Sequence, residues 1–263
     1  MKNRKALKLI LAITLVIIML PVAVIIIWTV TGRWPWPYLL PETYSIRSLT
    51  EMFTGSSKIY EVLISSIILA ALVAVLGTII ALMTARATEI YRIRGRRFIG
   101  FAALLPLLVP GTVFAMGIQV HLIRMGLGDT LAGVVIVHLV AALPYCITIM
   151  MDMTAAVGDS LEEQAQVLGA NPMRAFMHVG LPQLLPGILS SVSMAYIISY
   201  SQYFTTLLAG GGKIKTLALV MVPYIQSGDR ALSSIYALTF VGSALMVFAV
   251  FEAIIHKMIR NSE

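Results

Sequence analysis

Long apolar runs separated by short polar segments dominate this sequence. Six such runs lie near residues 9–30, 61–84, 99–122, 130–151, 183–206 and 231–255. Each is long enough to cross the hydrocarbon core of a bilayer, which is roughly 30 Å thick, as an α-helix. Because backbone groups in lipid must find hydrogen-bond partners within the protein, the pattern predicts an all-α, polytopic membrane protein with six transmembrane helices.

The composition supports this prediction and limits what else the chain can contain. Hydrophobic residues make up 59% of the chain, charged residues make up 12%, and the mean hydropathy is +0.92. Such a chain exposes too much apolar surface to dissolve as a globular protein. No polar connection is long enough for a nucleotide-binding domain, so we expect residues 1–263 to form a single transmembrane domain.

The first apolar run follows several basic residues, as a secretory signal would. Its apolar stretch from Leu9 to Val30 is longer than the hydrophobic region of a signal peptide, and no small-residue cleavage site follows it. We therefore expect the first run to be a retained membrane helix.

The distribution of Lys and Arg predicts the orientation of the helices. Membrane proteins carry more Lys and Arg in their cytoplasmic segments than in their outer ones. This sequence follows that rule if its N-terminus is placed in the cytoplasm. The largest group lies between the second and third runs: Arg86, Arg92, Arg94, Arg96 and Arg97. An even number of spans then places both termini in the cytoplasm. The formal net charge of +7 comes mainly from basic residues at the ends of the spans, where they set the topology and contact anionic lipid. We therefore expect no nucleic acid partner.

The polar segment at residues 160–182 lies between the fourth and fifth runs, on the predicted cytoplasmic side. Ser160 followed three residues later by Glu163 predicts a capping box, with a helix beginning at Leu161. That helix should end at Gly169. Asn171 followed by Pro172 predicts the start of a second helix.

Two interpretations of this bent helix pair follow from helix physics. It could dock on another protein, or it could lie on the bilayer surface with Met173, Phe176 and Met177 in lipid. Helix physics alone does not decide between the two interpretations. The informative positions of the segment are Glu163, Gln164, Ala165, Gly169, Val179, Gly180, Leu181 and Pro182.

These residues resemble the E-A-A, three residues, G, nine residues, I-x-L-P signature of permease subunits of ATP-binding cassette (ABC) importers. Gln164 and Val179 depart mildly from that pattern. A weaker, independent resemblance to type I importer permeases covers the Arg-rich loop followed by Pro106, Pro110 and Gly111. Together the two similarities extend from about residue 60 to the C-terminus.

The resemblance implies that the segment couples the chain to a cytoplasmic ABC ATPase dimer, which holds Mg-ATP. The implied coupling residues are Glu163, Gln164, Ala165, Leu168, Gly169, Ala170, Arg174, Leu181 and Pro182. It also implies a second permease subunit, which in this subgroup is often a different chain, and an extracytoplasmic substrate-binding protein. The chain itself would bind no cofactor, would not be an enzyme, and would lie in the plasma membrane of a prokaryote.

Polar side chains are unusually dense in the fifth apolar run. Lipid-facing positions would leave them unsatisfied, so they should pack between helices or line a water-filled path. The candidate pathway residues are Tyr196, Tyr200, Ser201, Gln202, Tyr203 and, in the fourth run, His138. For His138, a buried imidazole satisfied by a neighbouring helix is the simpler interpretation.

The identity of the solute stays open at this point. The fifth run and the segment after it resemble the subgroup that transports polyamines, iron, thiamine and phosphonates. No carboxylate lies in the fifth run, which weakens a polyamine substrate without excluding it. An ion-coupled secondary transporter or channel is the alternative class, although only Glu61 and Glu252 place carboxylates in the runs.

Overall fold

The structure is a computed structural model that describes the backbone of residues 2–55 and 58–260, and the side chains of residues 7–55, 58–251 and 253. Most of the described chain is helical. The helices are α1 (Lys2–Thr29), α2 (Arg47–Thr54), α3 (Ile59–Ala85), α4 (Arg96–Leu108), α5 (Gly111–Arg124), α6 (Leu131–Val157), α7 (Ser160–Val167), α8 (Pro172–Ala175), α9 (Leu181–Tyr200), α10 (Phe204–Gly210), α11 (Leu217–Ser227) and α12 (Arg230–Arg260).

Single π-helical turns extend two of these helices. The turn Arg86–Ile90 continues α3, and the turn Phe176–Gly180 joins α8 to α9. The described residues also form a small hairpin, in which β1 (Thr31–Arg33) pairs antiparallel with β2 (Thr43–Tyr44). The structure is therefore all-α apart from this short hairpin.

Within the described residues, five helical segments are long and apolar enough to cross a membrane. They are Leu7–Thr29, Ile59–Ile90, Leu131–Val157, Pro172–Tyr200 and Arg230–Phe251. The number becomes six if α4 and α5 together form one bent span. Many large apolar side chains on these segments are exposed, Leu9 and Ile17 among them, as expected of surfaces that face lipid.

The chain divides into two compact units. The first comprises residues 1–62 and 220–263, and in its described part α1 and α2 both pack on α12. The Ser48 hydroxyl donates a hydrogen bond to the Thr29 carbonyl, and the rings of Tyr224 and Tyr236 stack with centroids 5.1 Å apart. The side chain of Glu252, considered above, lies outside the described residues.

The second unit comprises residues 63–219 and is built on the packing of α6 against α9. Small side chains allow the helices to approach closely, as is common in membrane proteins. Ser191 on α9 hydrogen bonds Thr78 on α3, with their oxygens 3.1 Å apart, and the buried Cys146 thiol lies 3.7 Å from the Ser191 carbonyl. Ser191 therefore serves helix packing.

The third apolar run is not one continuous helix, contrary to the prediction for residues 99–122. The axes of α4 and α5 differ by 106°, and the break falls at Val109 and Pro110. Val109 is extended and Pro110 is also non-helical, with ψ angles of 131° and 129°. Proline lacks a backbone N–H and disfavours helical geometry at the residue before it, which accounts for the break.

The fifth apolar run also ends earlier than predicted. Helix α9 stops at Tyr200, and residues 201–203 separate it from α10, so residues 183–206 do not form one helix. The Thr206 hydroxyl donates to the Gln202 carbonyl at 2.7 Å, and the Thr205 hydroxyl donates to Gln202 Oε1 at 2.7 Å. Such local side-chain bonds compete with the helical hydrogen-bond pattern and stabilise the interruption.

Candidate functional site

The segment at residues 160–182 contains two short helices, as its sequence predicts, but its first helix starts differently. Helix α7 begins at Ser160, and Asp159 is the N-cap without a side-chain cap bond. The backbone N–H of Glu163 donates to the Asp159 carbonyl at 2.9 Å. The predicted capping box of Ser160 with Glu163 is therefore wrong, because Ser160 lies within the first turn and not at the cap.

The bend between the two helices depends on Gly169. Its φ angle is +97°, which L side chains rarely adopt, and a Cβ added there would meet open space. The N–H of Ala170 donates to the Ala165 carbonyl at 3.0 Å and closes the helix end. Glycine is thus required here by backbone conformation and not by a close neighbour.

The start of the second helix agrees with the sequence. Asn171 is the N-cap of α8, and its side-chain oxygen accepts a hydrogen bond from the backbone N–H of Arg174 at 2.8 Å. Pro172 occupies the first helical position, where its missing N–H costs nothing.

A buried ion pair attaches this segment to α3. The Arg86 guanidinium donates to both carboxylate oxygens of Glu162, at 2.7 and 2.8 Å, and stacks over the Phe176 ring at 4.3 Å. The side chains of Arg86 and Glu162 are only 14% and 7% exposed. Gly180 packs directly against this pair, because a Cβ at that position would overlap the Glu162 carboxylate.

Sequence reasoning missed this contact. It counted Arg86 only among the basic residues that predict the orientation of the helices, and it assigned no partner to Glu162. The partners are 76 residues apart, so no local pattern connects them. A usable signal was Gly180, a small residue within the motif that leaves room for a neighbouring side chain.

The bend of the segment presents an exposed apolar tip. Val167 and Leu168 are each 88% exposed. They border an open depression of about 480 Å³ whose other lining residues are Ser160, Glu163 and Gln164. The structure thus brings together three of the predicted coupling residues, Glu163, Gln164 and Leu168, on one surface.

The remaining predicted coupling residues lie around this surface or at the base of the segment. Ala165 and Ala170 are half-buried beside the bend, and Arg174 is exposed on α8. Leu181 and Pro182 are the first residues of α9, so the segment continues directly into a membrane helix.

A second site is a cavity of about 500 Å³ beside the break between α4 and α5. Its walls also include residues of α6, α9 and α10, among them Tyr145 and Thr205. Two predicted pathway residues, Ser201 and Gln202, line it, and none of the residues that line it is charged. The cavity therefore offers hydroxyl and amide groups within mainly apolar walls.

The other predicted pathway residues do not line this cavity. Tyr196 and Tyr200 are buried and stack on each other with centroids 5.4 Å apart, while Tyr203 is half-buried at the helix break. His138 is fully buried. Its two ring nitrogens lie 2.8 Å from the hydroxyl of Ser199 and 2.9 Å from that of Thr206, as expected of an imidazole that joins helices.

Comparisons with known proteins find transport permeases among the relatives of this chain. Over 246 residues the chain is 21% identical to a Salmonella typhi protein provisionally named a 2-aminoethylphosphonate transport system permease, with 93% of this chain and 92% of the relative covered. Over 135 residues it is 27% identical to an Fe(3+)-transport system permease of Haemophilus influenzae, covering 51% of this chain and 27% of that one.

A solved structure shows the same fold. A chain of a bacterial ABC transporter involved in the import of the acidic polysaccharide alginate superposes with a TM-score of 0.76 at 17% identity, covering 95% of both chains. The family model described as binding-protein-dependent transport system inner membrane component matches residues 77–260. The chain therefore belongs to this family of inner-membrane transport proteins and is a multi-pass permease component of a binding-protein-dependent ABC importer.

Proposed function

We propose that residues 160–182 are the coupling element through which this permease is driven by a cytoplasmic ABC ATPase dimer. In this proposal α4 and α5 form one bent span, so that the chain crosses the membrane six times with both termini in the cytoplasm. Mg-ATP binds the ATPase and no cofactor binds this chain. A second permease chain completes the pathway, and an extracytoplasmic binding protein delivers the solute.

The exposed tip at Val167 and Leu168 is the observation that carries this proposal. Two adjacent apolar side chains that are each 88% exposed lie on a segment whose neighbouring residues are polar. Protein interfaces place apolar anchors at the centre and polar groups at the rim. Glu163 and Gln164 stand at that rim on α7, and Arg174 adds a cation on α8.

The attachments of the segment support a mechanical role. The bidentate bond between Arg86 and Glu162 fixes α7 to the end of α3. The π-helical turn Phe176–Gly180 passes without a loop into α9. A displacement of the tip is therefore delivered to two helices of the second unit, as expected of an element that moves with a motor subunit.

The uncharged cavity supports a small polar solute as the substrate. Ser201 and Gln202 supply hydrogen-bond donors and acceptors, and Tyr145 supplies an aromatic wall. We assign these side chains, together with the neighbouring Tyr196, Tyr200, Tyr203 and His138, to the pathway region. Among polyamine, thiamine, iron and phosphonate substrates, a phosphonate is the first to test, because that relative aligns over nearly its whole length.

Cysteine accessibility tests the docking proposal. Cys146 is the single cysteine of the chain and is buried, so a Cys146→Ala background permits one reporter at a time. Leu168→Cys places the reporter at the tip, and Leu39→Cys is a matched control at a leucine that is 90% exposed. A membrane-impermeant maleimide is applied to inside-out and right-side-out membranes, with and without the ATPase.

We expect Leu168→Cys to react in inside-out membranes that lack the ATPase and to be protected when the ATPase is bound. Leu39→Cys should react only from the opposite face and should not respond to the ATPase. Equal labelling of Leu168→Cys with and without the ATPase would contradict docking. Protection by lipid alone would instead support a segment lying on the bilayer surface.

A further inference from the structure

All three tryptophans of the chain line one cavity in the first unit. This cavity has a volume of about 800 Å³. Three arginines share its walls with the tryptophans: Trp28, Trp34, Trp36, Arg33, Arg47 and Arg230. None of the predicted coupling or pathway residues contributes to it. Residues 28–47 also precede the part of the chain that matches the family model.

The cavity lies where two candidate membrane spans end. The span Leu7–Thr29 finishes beside it, and the span Arg230–Phe251 begins beside it. Helices α1 and α12, which contain these spans, pack on each other within the same unit. The cavity is therefore at the level of a membrane–water interface, where tryptophan is enriched because its ring is amphipathic.

The charges that line the cavity leave one arginine available for an anion. Arg47 is paired with Asp229 at 2.6 Å and also approaches Glu51 at 3.9 Å, and Asp229 is the one carboxylate among the lining residues. Arg230 lies over the Trp28 ring at 5.1 Å, and no salt bridge joins it to a carboxylate in the described part of the chain. Arg33 contacts Glu42 only at 3.5 Å and remains 75% exposed. Positive charge therefore exceeds negative charge in the lining.

The aromatic wall is preorganised. Trp28 and Trp34 stack with centroids 4.8 Å apart, and the Trp34 ring N–H donates to the Tyr38 carbonyl at 2.8 Å. These contacts hold two indole rings beside the guanidinium of Arg230. Guanidinium groups bind phosphate oxygens in a bidentate manner, while indole rings pack against the glycerol and carbonyl region of a lipid.

We propose that this cavity binds the phosphodiester headgroup of an anionic phospholipid such as phosphatidylglycerol. Arg230 and Arg33 contact the phosphate, and the tryptophans cover the glycerol backbone. The acyl chains lie along α1, on which large apolar side chains such as Ile26, at 52% exposed, face outward. This adjoining apolar surface favours a lipid over a free anion. The inference rests on α1 and α12 spanning the membrane and is independent of ATPase coupling.

Tryptophan fluorescence tests this site directly, because every tryptophan of the chain lies in it. The delipidated full-length chain in detergent is titrated with phosphatidylglycerol that carries brominated acyl chains, which quench nearby indoles. Arg230→Gln is compared with Arg124→Gln, a matched change at an exposed arginine in the other unit. Arg33→Gln is a second variant, since its exposed side chain is not needed for packing.

We expect saturable quenching of the unmodified chain and of Arg124→Gln. Arg230→Gln and Arg33→Gln should each weaken the apparent affinity about fivefold, as expected for one basic residue near an anionic membrane surface. Brominated phosphatidylcholine should bind more weakly to the unmodified chain, and glycerol 3-phosphate should not compete at millimolar concentration. Equal affinity of both arginine variants and the unmodified chain, or equal binding of the two lipids, would overturn the proposal. Full competition by glycerol 3-phosphate would overturn the assignment to lipid.

Discussion

Arg86 and Glu162 form a bidentate ion pair in which both partners are largely removed from solvent. Arg86 lies in the turn that continues α3, and Glu162 lies in the first turn of α7. The contact joins a predicted membrane span to the base of the proposed coupling segment. It also determines how Phe176 and Gly180 pack, since one stacks under the guanidinium and the other leaves space for the carboxylate.

Removing one partner of this ion pair should lower the free energy of unfolding. Glu162→Ala leaves the Arg86 charge buried without its counter-ion, and we expect a loss of about 3 kcal/mol in the free energy of unfolding. Glu163→Ala is the matched control for stability, because Glu163 is exposed and makes no ion pair in the described chain. Thermal unfolding of the purified variants in detergent measures the difference.

The double variant Arg86→Met, Glu162→Met distinguishes a buried charge from a packing defect. Replacing both partners with apolar side chains removes the uncompensated charge, so much of the lost stability should return. If Glu162→Ala unfolds at the same temperature as Glu163→Ala, the pair does not hold the segment.

Gly180→Ala should disturb the same pair by steric overlap. The added methyl group would occupy space held by the Glu162 carboxylate, and we expect a destabilisation of about 1–3 kcal/mol. Gly117→Ala on α5 is the control, because a Cβ there meets open space. The control should be neutral or slightly stabilising, as alanine is favoured over glycine in helices. Equal melting temperatures for both variants would show that Glu162 can move aside at little cost.

Gly169→Ala tests whether the bend between α7 and α8 needs the backbone conformation that glycine allows. A side chain at a φ of +97° is strained, and we expect a cost of about 1–2 kcal/mol. Gly169→Asn should cost less, because asparagine tolerates positive φ better than alanine does. Circular dichroism melting curves of the two variants provide the comparison. A smaller loss for alanine than for asparagine would argue that space, and not backbone conformation, selects glycine here.

Local patterns predicted much of this architecture. Apolar run length identified the five candidate spans because the requirement for internal hydrogen bonds in lipid acts on each segment separately. The glycine bend at Gly169 and the cap at Asn171 followed from φ preferences and short-range hydrogen bonds, which are properties of neighbouring residues. The capping box failed for a related reason: Ser160 and Asp159 are both good N-cap residues, and the pattern alone did not decide between them.

Features that depend on distant residues were not predicted. The break at Val109 and Pro110 had a visible cause, but a proline can also kink a helix that remains continuous, and neighbouring helices decide which occurs. The pairing of Arg86 with Glu162 depends on packing between segments that are far apart in the chain. The same holds for the cavity at Ser201, which required two helix breaks to lie side by side.

Filling the cavity at Ser201 should block passage of the solute and leave assembly with the ATPase intact. Ser201→Trp places an indole in a space of about 500 Å³, and Ile197→Trp is the control at a position on α9 that is 46% exposed and does not line the cavity. Uptake of the ligand that co-purifies with the cognate binding protein should fall to a small fraction of the unmodified rate in Ser201→Trp, while assembly with the ATPase is retained. Unchanged uptake in Ser201→Trp would remove the cavity from the pathway.

In the proposed function, the exposed tip at Leu168 transmits the motion that ATP hydrolysis drives in the ATPase to the membrane helices. The most direct measurement of this role is ATP-driven uptake by proteoliposomes that contain the permease pair, the ATPase and the liganded binding protein. Leu168→Asp is compared with Leu39→Asp, since the two leucines are 88% and 90% exposed. Loss of a central apolar anchor, worth about 2 kcal/mol, predicts roughly thirtyfold weaker ATPase binding and a matching loss of uptake for Leu168→Asp alone. Undiminished uptake with Leu168→Asp would contradict the account.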